Sequence, residues 1–140
     1  MKGSPDGQNG SFDRNPILWF LVDGIGASLS ILLSGLILPD FSLLLGLPVS
    51  ALWFLASAAC IPLAYDVWHY IRRGVVGTGI LPKALRGIAL INLSYVILSL
   101  GIAMWHRSTM TVYGWFYVLS EAFFIFFLAS LEFRAAAKLC

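Results

Sequence analysis

Charge, cysteine and histidine are all scarce in this sequence. Only 11% of its residues are Asp, Glu, Lys or Arg, whereas soluble domains carry about 25%. Two cysteines, Cys60 and Cys140, are too few for a disulfide framework or a four-cysteine metal site. The two histidines, His69 and His106, fall near opposite ends of the long apolar runs, which excludes a bis-histidine haem or a shared metal. No metal or cofactor is expected. The glycine-rich stretch Gly74-Val75-Val76-Gly77-Thr78-Gly79 lacks the Gly-Lys-Ser/Thr continuation of a phosphate-binding loop. No Ser-His-Asp or Cys-His set can be placed at one depth. An enzyme is therefore not expected, and neither is a nucleic-acid partner. The last four residues, Ala137-Lys138-Leu139-Cys140, do not form the Cys-a-a-X pattern of a prenylation site.

What is abundant is apolar. Hydrophobic residues make up 59% of the 140, and the mean hydropathy is +0.86. Such a surplus implies that lipid solvates much of the surface. Residues 1–15 are polar and rich in Gly, Ser, Asn and Asp, and read as a disordered tail. Residues 16–140 then read as a single membrane domain with spans at about 17–38, 49–70, 84–106 and 112–133. Each has about the 20 residues needed to cross the hydrocarbon core. The first is too long for a signal-peptide core, contains Asp23 and ends without a small-residue cleavage pattern, so it is expected to be retained. Asn15-Pro16 reads as its start and Pro39-Asp40 as its stop. Residues 41–48 read as an apolar interfacial loop. Pro62 is expected to kink the second span, and Pro82 to open the third.

The expected fold is an all-α, polytopic four-helix bundle. Its orientation follows from Lys2, Arg14, Arg72, Arg73, Lys83, Arg86, Arg134 and Lys138 on one side, against Arg107 alone on the other. Basic residues stay cytoplasmic, so both termini are expected there. Trp19, Trp53, Trp68, Trp105 and Trp115 lie near span ends, where an interfacial aromatic belt forms. Short matches between spans one and three (Leu21-Val22-Asp23, Leu90-Ile91-Asn92) and between two and four (Trp53-Phe54, Trp115-Phe116) suggest a faint repeat of two hairpins.

Each span has one small or polar face. Gly26, Ala27, Ser30 and Ser34 follow Asp23 at offsets of 3, 4, 7 and 11, a stripe suited to close helix packing. Ala59, Pro62, Asp66 and His69 share a face in span two; Asn92, Tyr95 and Ser99 share one in span three. Gly114, Tyr117, Glu121 and Glu132 do so in span four. Asp66 and Glu132 lie close to the basic end, within reach of Arg72, Arg73, Arg86 or Arg134, and read as interfacial acids. Asp23 and Glu121 lie deeper, and no Lys or Arg occurs in the apolar core of any span. They are the candidate proton- or cation-binding residues, with Asn92, Tyr95, Tyr117 and Ser99 as candidates to line a path. The competing reading makes the same acids neutral hydrogen-bonding glue between helices.

The run Leu21-Val22-Asp23-Gly24-Ile25-Gly26-Ala27, together with the four spans, resembles a family of small four-span bacterial membrane proteins. The resemblance implies a bacterial inner-membrane location but no particular activity. Small multidrug-resistance exporters also have four spans and an acid in the first helix. They usually lack a counterpart of Glu121, so that likeness is architectural. Two functions follow as expectations: an oligomeric proton- or cation-linked transporter or channel, or a non-transporting accessory or scaffold subunit of a membrane complex.

Overall fold

A computed structural model describes residue 15, residues 17–72 and residues 79–139. The expectations for the tail 1–14, Pro16, Arg73, the rest of the glycine loop through 78, and Cys140 lie outside the described residues. Helix α1 (Ile17–Leu32) begins where the Asn15 carbonyl accepts the Leu18 N–H at 2.9 Å. It passes into a π-helical stretch, Leu33–Ile37, a 3-10 turn, Leu38–Phe41, and the single-turn α2 (Ser42–Leu45). Helices α3 (Val49–Ile71), α4 (Leu81–Trp105) and α5 (Val112–Lys138) follow. Among the described residues, four helical stretches are long and apolar enough to cross a membrane: Ile17–Leu45, Val49–Ile71, Leu81–Trp105 and Val112–Lys138.

Pro39 does not stop the first stretch. It falls in the first positions of the 3-10 turn, where a missing N–H removes no required hydrogen bond, and helical turns run on to Leu45. Residues 41–45, expected as an interfacial loop, therefore prolong the first helical stretch. Pro82 opens α4 for the same reason, as the sequence implies. Pro62 lies inside α3 and deprives the carbonyl one turn earlier of its helical partner.

Helix α1 packs mainly on α3 and α4 mainly on α5; α3 and α4 join the two pairs. Small residues allow the close approaches. A side chain on Gly26 would meet Leu128 and Phe124 of α5 at 3.8 and 3.9 Å, and one on Gly35 would meet Ala56 of α3 at 3.3 Å. Leu52, Leu55, Leu85 and Ile88 fill the interior. Ile97, Phe116 and Phe123 stand largely exposed on the outside, while Asp23, Asp66, Asn92 and Glu132 are buried. In a water-soluble protein that distribution is reversed.

The end of the bundle opposite Ile17 and Lys138 is closed by backbone contacts. Gly46 adopts a left-handed conformation (φ 72°) that ends α2, and its carbonyl accepts the Thr109 hydroxyl at 2.9 Å. The Thr111 N–H donates to the Leu45 carbonyl at 3.1 Å, and its hydroxyl donates to that of Leu44. The same hydroxyl oxygen caps α5 by accepting the Gly114 N–H at 3.2 Å.

Candidate functional site

The polar faces read from the sequence turn toward one another. Asp23, Gly26, Ala27 and Ser30 of α1, Ala59 and Pro62 of α3, Asn92 and Tyr95 of α4, and Glu121 of α5 all line one internal cavity of about 40 Å³. That volume admits a water-sized guest. Phe124, Ile125 and Leu128 close its remaining wall. Asp23 and Glu121 therefore share a cavity, but they belong to different groups of side chains.

The first group gathers one residue from each long helix. The Asn92 amide donates to Asp23 Oδ1 at 2.7 Å and, at a longer 3.4 Å, to Glu132 Oε2. The carboxyls of Asp66 and Glu132 both come within hydrogen-bonding reach of the Asp23 carboxyl. Both Asp66 oxygens, Asp23 Oδ2 and Glu132 Oε1 are buried without an N–H or hydroxyl donor. Two carboxyl oxygens facing each other are mutually repulsive unless a proton or a cation lies between them.

This arrangement corrects the expectation that Asp66 and Glu132 are interfacial acids paired with arginines. They are 1% and 0% exposed, and neither oxygen of Asp66 accepts a hydrogen bond from a basic side chain. Depth along the axis was a poor guide because it ignores the direction in which a side chain turns. The direction was legible: Asp66 follows Ala59 and Pro62 on one face, and Pro62 lines the cavity. Glu132 lies three turns after Glu121 on the same face of α5. Of the arginines expected within reach of Asp66, Arg72 instead lies on the surface, where its guanidinium stacks 4.7 Å above the Trp68 ring.

The second group surrounds Glu121 with hydroxyls. Tyr95 donates to Glu121 Oε1 at 3.4 Å, and Ser30 and Tyr117 also lie within reach of its carboxyl. Tyr117 shares a 2.8 Å hydrogen bond with Ser34, which is fully buried where α1 becomes π-helical. The packing stripe thus divides: Gly26 admits α5 closely, whereas Ser30 and Ser34 supply hydrogen bonds. Ser99 is buried with an unpartnered hydroxyl but does not line the cavity.

Beside the first group, Tyr65 donates to the Ala84 carbonyl at 3.1 Å, which fastens α3 to α4. Its ring and that of Phe20 enclose His69, with centroids 4.2 and 5.3 Å away. Gly87 leaves the space that the Tyr65 hydroxyl occupies. Among the described residues, no three His, Cys, Asp or Glu side chains are placed to hold a metal ion together. No family model, curated protein or solved structure matches this chain.

Proposed function

We propose that this chain is an integral protein of the bacterial inner membrane, with both termini cytoplasmic, and that its bundle interior binds and passes protons as part of a small transporter. The observation that carries the reading is the Asp23–Asp66–Glu132 group, three buried carboxyls to which, among the described residues, the Asn92 amide donates. Burying such a group in a bundle of this size is expensive. Protons shared among facing carboxyls relieve the repulsion without a metal ligand set. The cavity then supplies a water-sized station between this group and Glu121, and Tyr117 and Ser34 extend the polar line toward the opposite end. Lys83, Arg86, Arg134 and Lys138 lie at the end nearest Asp66 and Glu132, which the positive-inside rule assigns to the cytoplasm. Lipid surrounds the exposed apolar surface, and further copies or membrane partners can pack on it.

The test is proton flux in liposomes, read with an internal pH-sensitive dye, for wild type, Asp23→Asn and Asp66→Asn. The wild type is expected to exceed empty liposomes, and each variant to lose at least tenfold while still melting cooperatively in detergent. A second reading draws on Asn92 itself, whose amide ties α4 to α1 and α5. On that reading the acids are a clasp in an accessory or scaffold subunit. Absence of wild-type flux, or full flux in both variants, would favour it.

A further inference from the structure

His69 stands beside the acid group and takes no part in it. Asp66 and His69 are three residues apart on α3, which makes them neighbours on one face. Phe20 and Asp23 are three apart on α1, with the chain running the other way. The two helices therefore meet in matching layers. Asp23 comes within hydrogen-bonding reach of Asp66. About 4.5 Å along the axis toward the basic end, the Phe20 ring stacks on the His69 ring, 5.3 Å between centroids and 10° between planes. Tyr65 adds a second aromatic contact at 4.2 Å. The imidazole thus forms the layer next to the carboxyls. It is half-buried and lies two residues before the end of α3, whereas Asp23, Asp66 and Glu132 are 4%, 1% and 0% exposed. The other histidine, His106, caps α4 at the opposite end.

Hydrogen bonding fixes which ring nitrogen can act. Nδ1 lies 2.9 Å from the Tyr65 carbonyl oxygen, which can only accept, so Nδ1 carries a hydrogen and donates it there. In the neutral ring, Nε2 then holds the lone pair that takes up a proton. The other ionisable groups of the elements around it serve this purpose less well. From α1 comes Asp23 alone, a member of the acid group. The Tyr65 hydroxyl is engaged with the Ala84 carbonyl at 3.1 Å, and Tyr70 borders the outer groove between α1 and α3. Arg72 stacks on Trp68. Lys83 and Arg86 of α4, and Arg134 and Lys138 of α5, are cations with no lone pair to offer. Protons bound for three carboxyls closed to outside water need a carrier, and the imidazole in the adjoining layer is placed to be one.

We propose that His69 is the relay that exchanges protons between the Asp23–Asp66–Glu132 group and water at the basic end of the bundle. Nε2 takes a proton from water there and the ring becomes an imidazolium. The same proton then passes to an ionised carboxyl, leaving His69 neutral, and discharge runs in reverse. This deepens the proton reading by naming the entry point; it rests on the acids holding protons but not on transport. The experiment is stopped-flow infrared spectroscopy of the purified protein in dodecyl maltoside, mixed from H2O into D2O. The probe is the C=O stretch of the neutral carboxyl that Asp66→Asn removes, which shifts when its proton becomes a deuteron. Two variants separate a relay from a packing role, and either serves if the other fails to fold. His69→Phe keeps an aromatic ring against Phe20, and His69→Gln keeps a donor for the Tyr65 carbonyl. Each is expected to slow the shift at least tenfold at neutral pH, and free imidazole in the buffer is expected to restore it. Wild-type exchange in a folded variant, or slowing that imidazole does not reverse, would overturn the proposal. A wild-type protein without the carboxyl band would overturn it too. Flux in liposomes keeps the two readings apart. Slowed exchange in the variants with no wild-type flux removes the transporter alone, and unchanged exchange with flux present removes the relay alone.

Discussion

Asn92 of α4 donates a 2.7 Å hydrogen bond to Asp23 of α1, and the same nitrogen reaches Glu132 of α5 at 3.4 Å. One amide thus serves two carboxyls on two other helices. Replacing Asn92 by Leu removes that donor while leaving both acids buried. The expected loss is on the order of 1–3 kcal/mol, seen as a lower melting temperature in detergent. An unchanged melting temperature would show that the acids find another donor.

Glu121 separates the chemical role from the structural one. Glu121→Gln keeps the size of the side chain and its capacity to bond with Ser30, Tyr95 and Tyr117. The folded protein is expected to melt close to wild type and to lose proton flux at least tenfold. Equal flux in the glutamine variant would remove Glu121 from the path.

Tyr117→Phe gives a contrasting pattern. It leaves Ser34, which is fully buried, without its 2.8 Å partner, at a cost of about 1–2 kcal/mol. Thermal melting should fall in this variant while it is spared in Glu121→Gln. If both variants melt alike, the Ser34–Tyr117 bond contributes nothing to stability.

Three glycines should rank by what stands in the way of a methyl group. At Gly114 a Cβ would lie 2.1 Å from the Leu45 carbonyl oxygen, and at Gly46 it would lie 1.9 Å from that of Thr109, where the positive φ adds strain. Both obstacles are backbone and cannot move without opening the closed end. At Gly87 the obstacle, 2.2 Å away, is the Tyr65 hydroxyl, the far end of a side chain. Alanine at Gly46 or Gly114 is expected to cost more than about 2 kcal/mol, and at Gly87 distinctly less. Melting curves for the three variants decide the order.

Cys60 lies on the exposed outside of α3, with its thiol directed to the Ala56 carbonyl at 3.5 Å. In cells it should react with a membrane-permeant maleimide of small size and resist a charged, impermeant one. Rapid labelling by the impermeant reagent would place this face in water. Reporter fusions after Gly79 and after Leu139 should read cytoplasmic, and one after Phe41 external; an external signal at the C-terminal fusion would mean an odd number of crossings.

How much was legible in advance depends on whether a property belongs to one helix or to several. Apolar runs of spanning length, the small stripe after Asp23 and the polar faces of the other spans are written in single segments. Run length therefore sufficed to place four long helices, and periodicity put Asp23, Asn92, Tyr95 and Glu121 on faces that meet at one cavity, whereas Ser99 and Tyr117 do not line it. Local backbone detail was less legible at Pro39, because a proline that would break an α-helix fits the first turn of a 3-10 segment. The meeting of Asp23 with Asp66 and Glu132 and the separation of Glu121 into a hydroxyl-lined site were decided by tertiary structure. Each depends on how α1 rotates against α3 and how far α5 slides along α4. Those rotations and offsets are set by side chains packing across helices, which no single segment of the sequence contains.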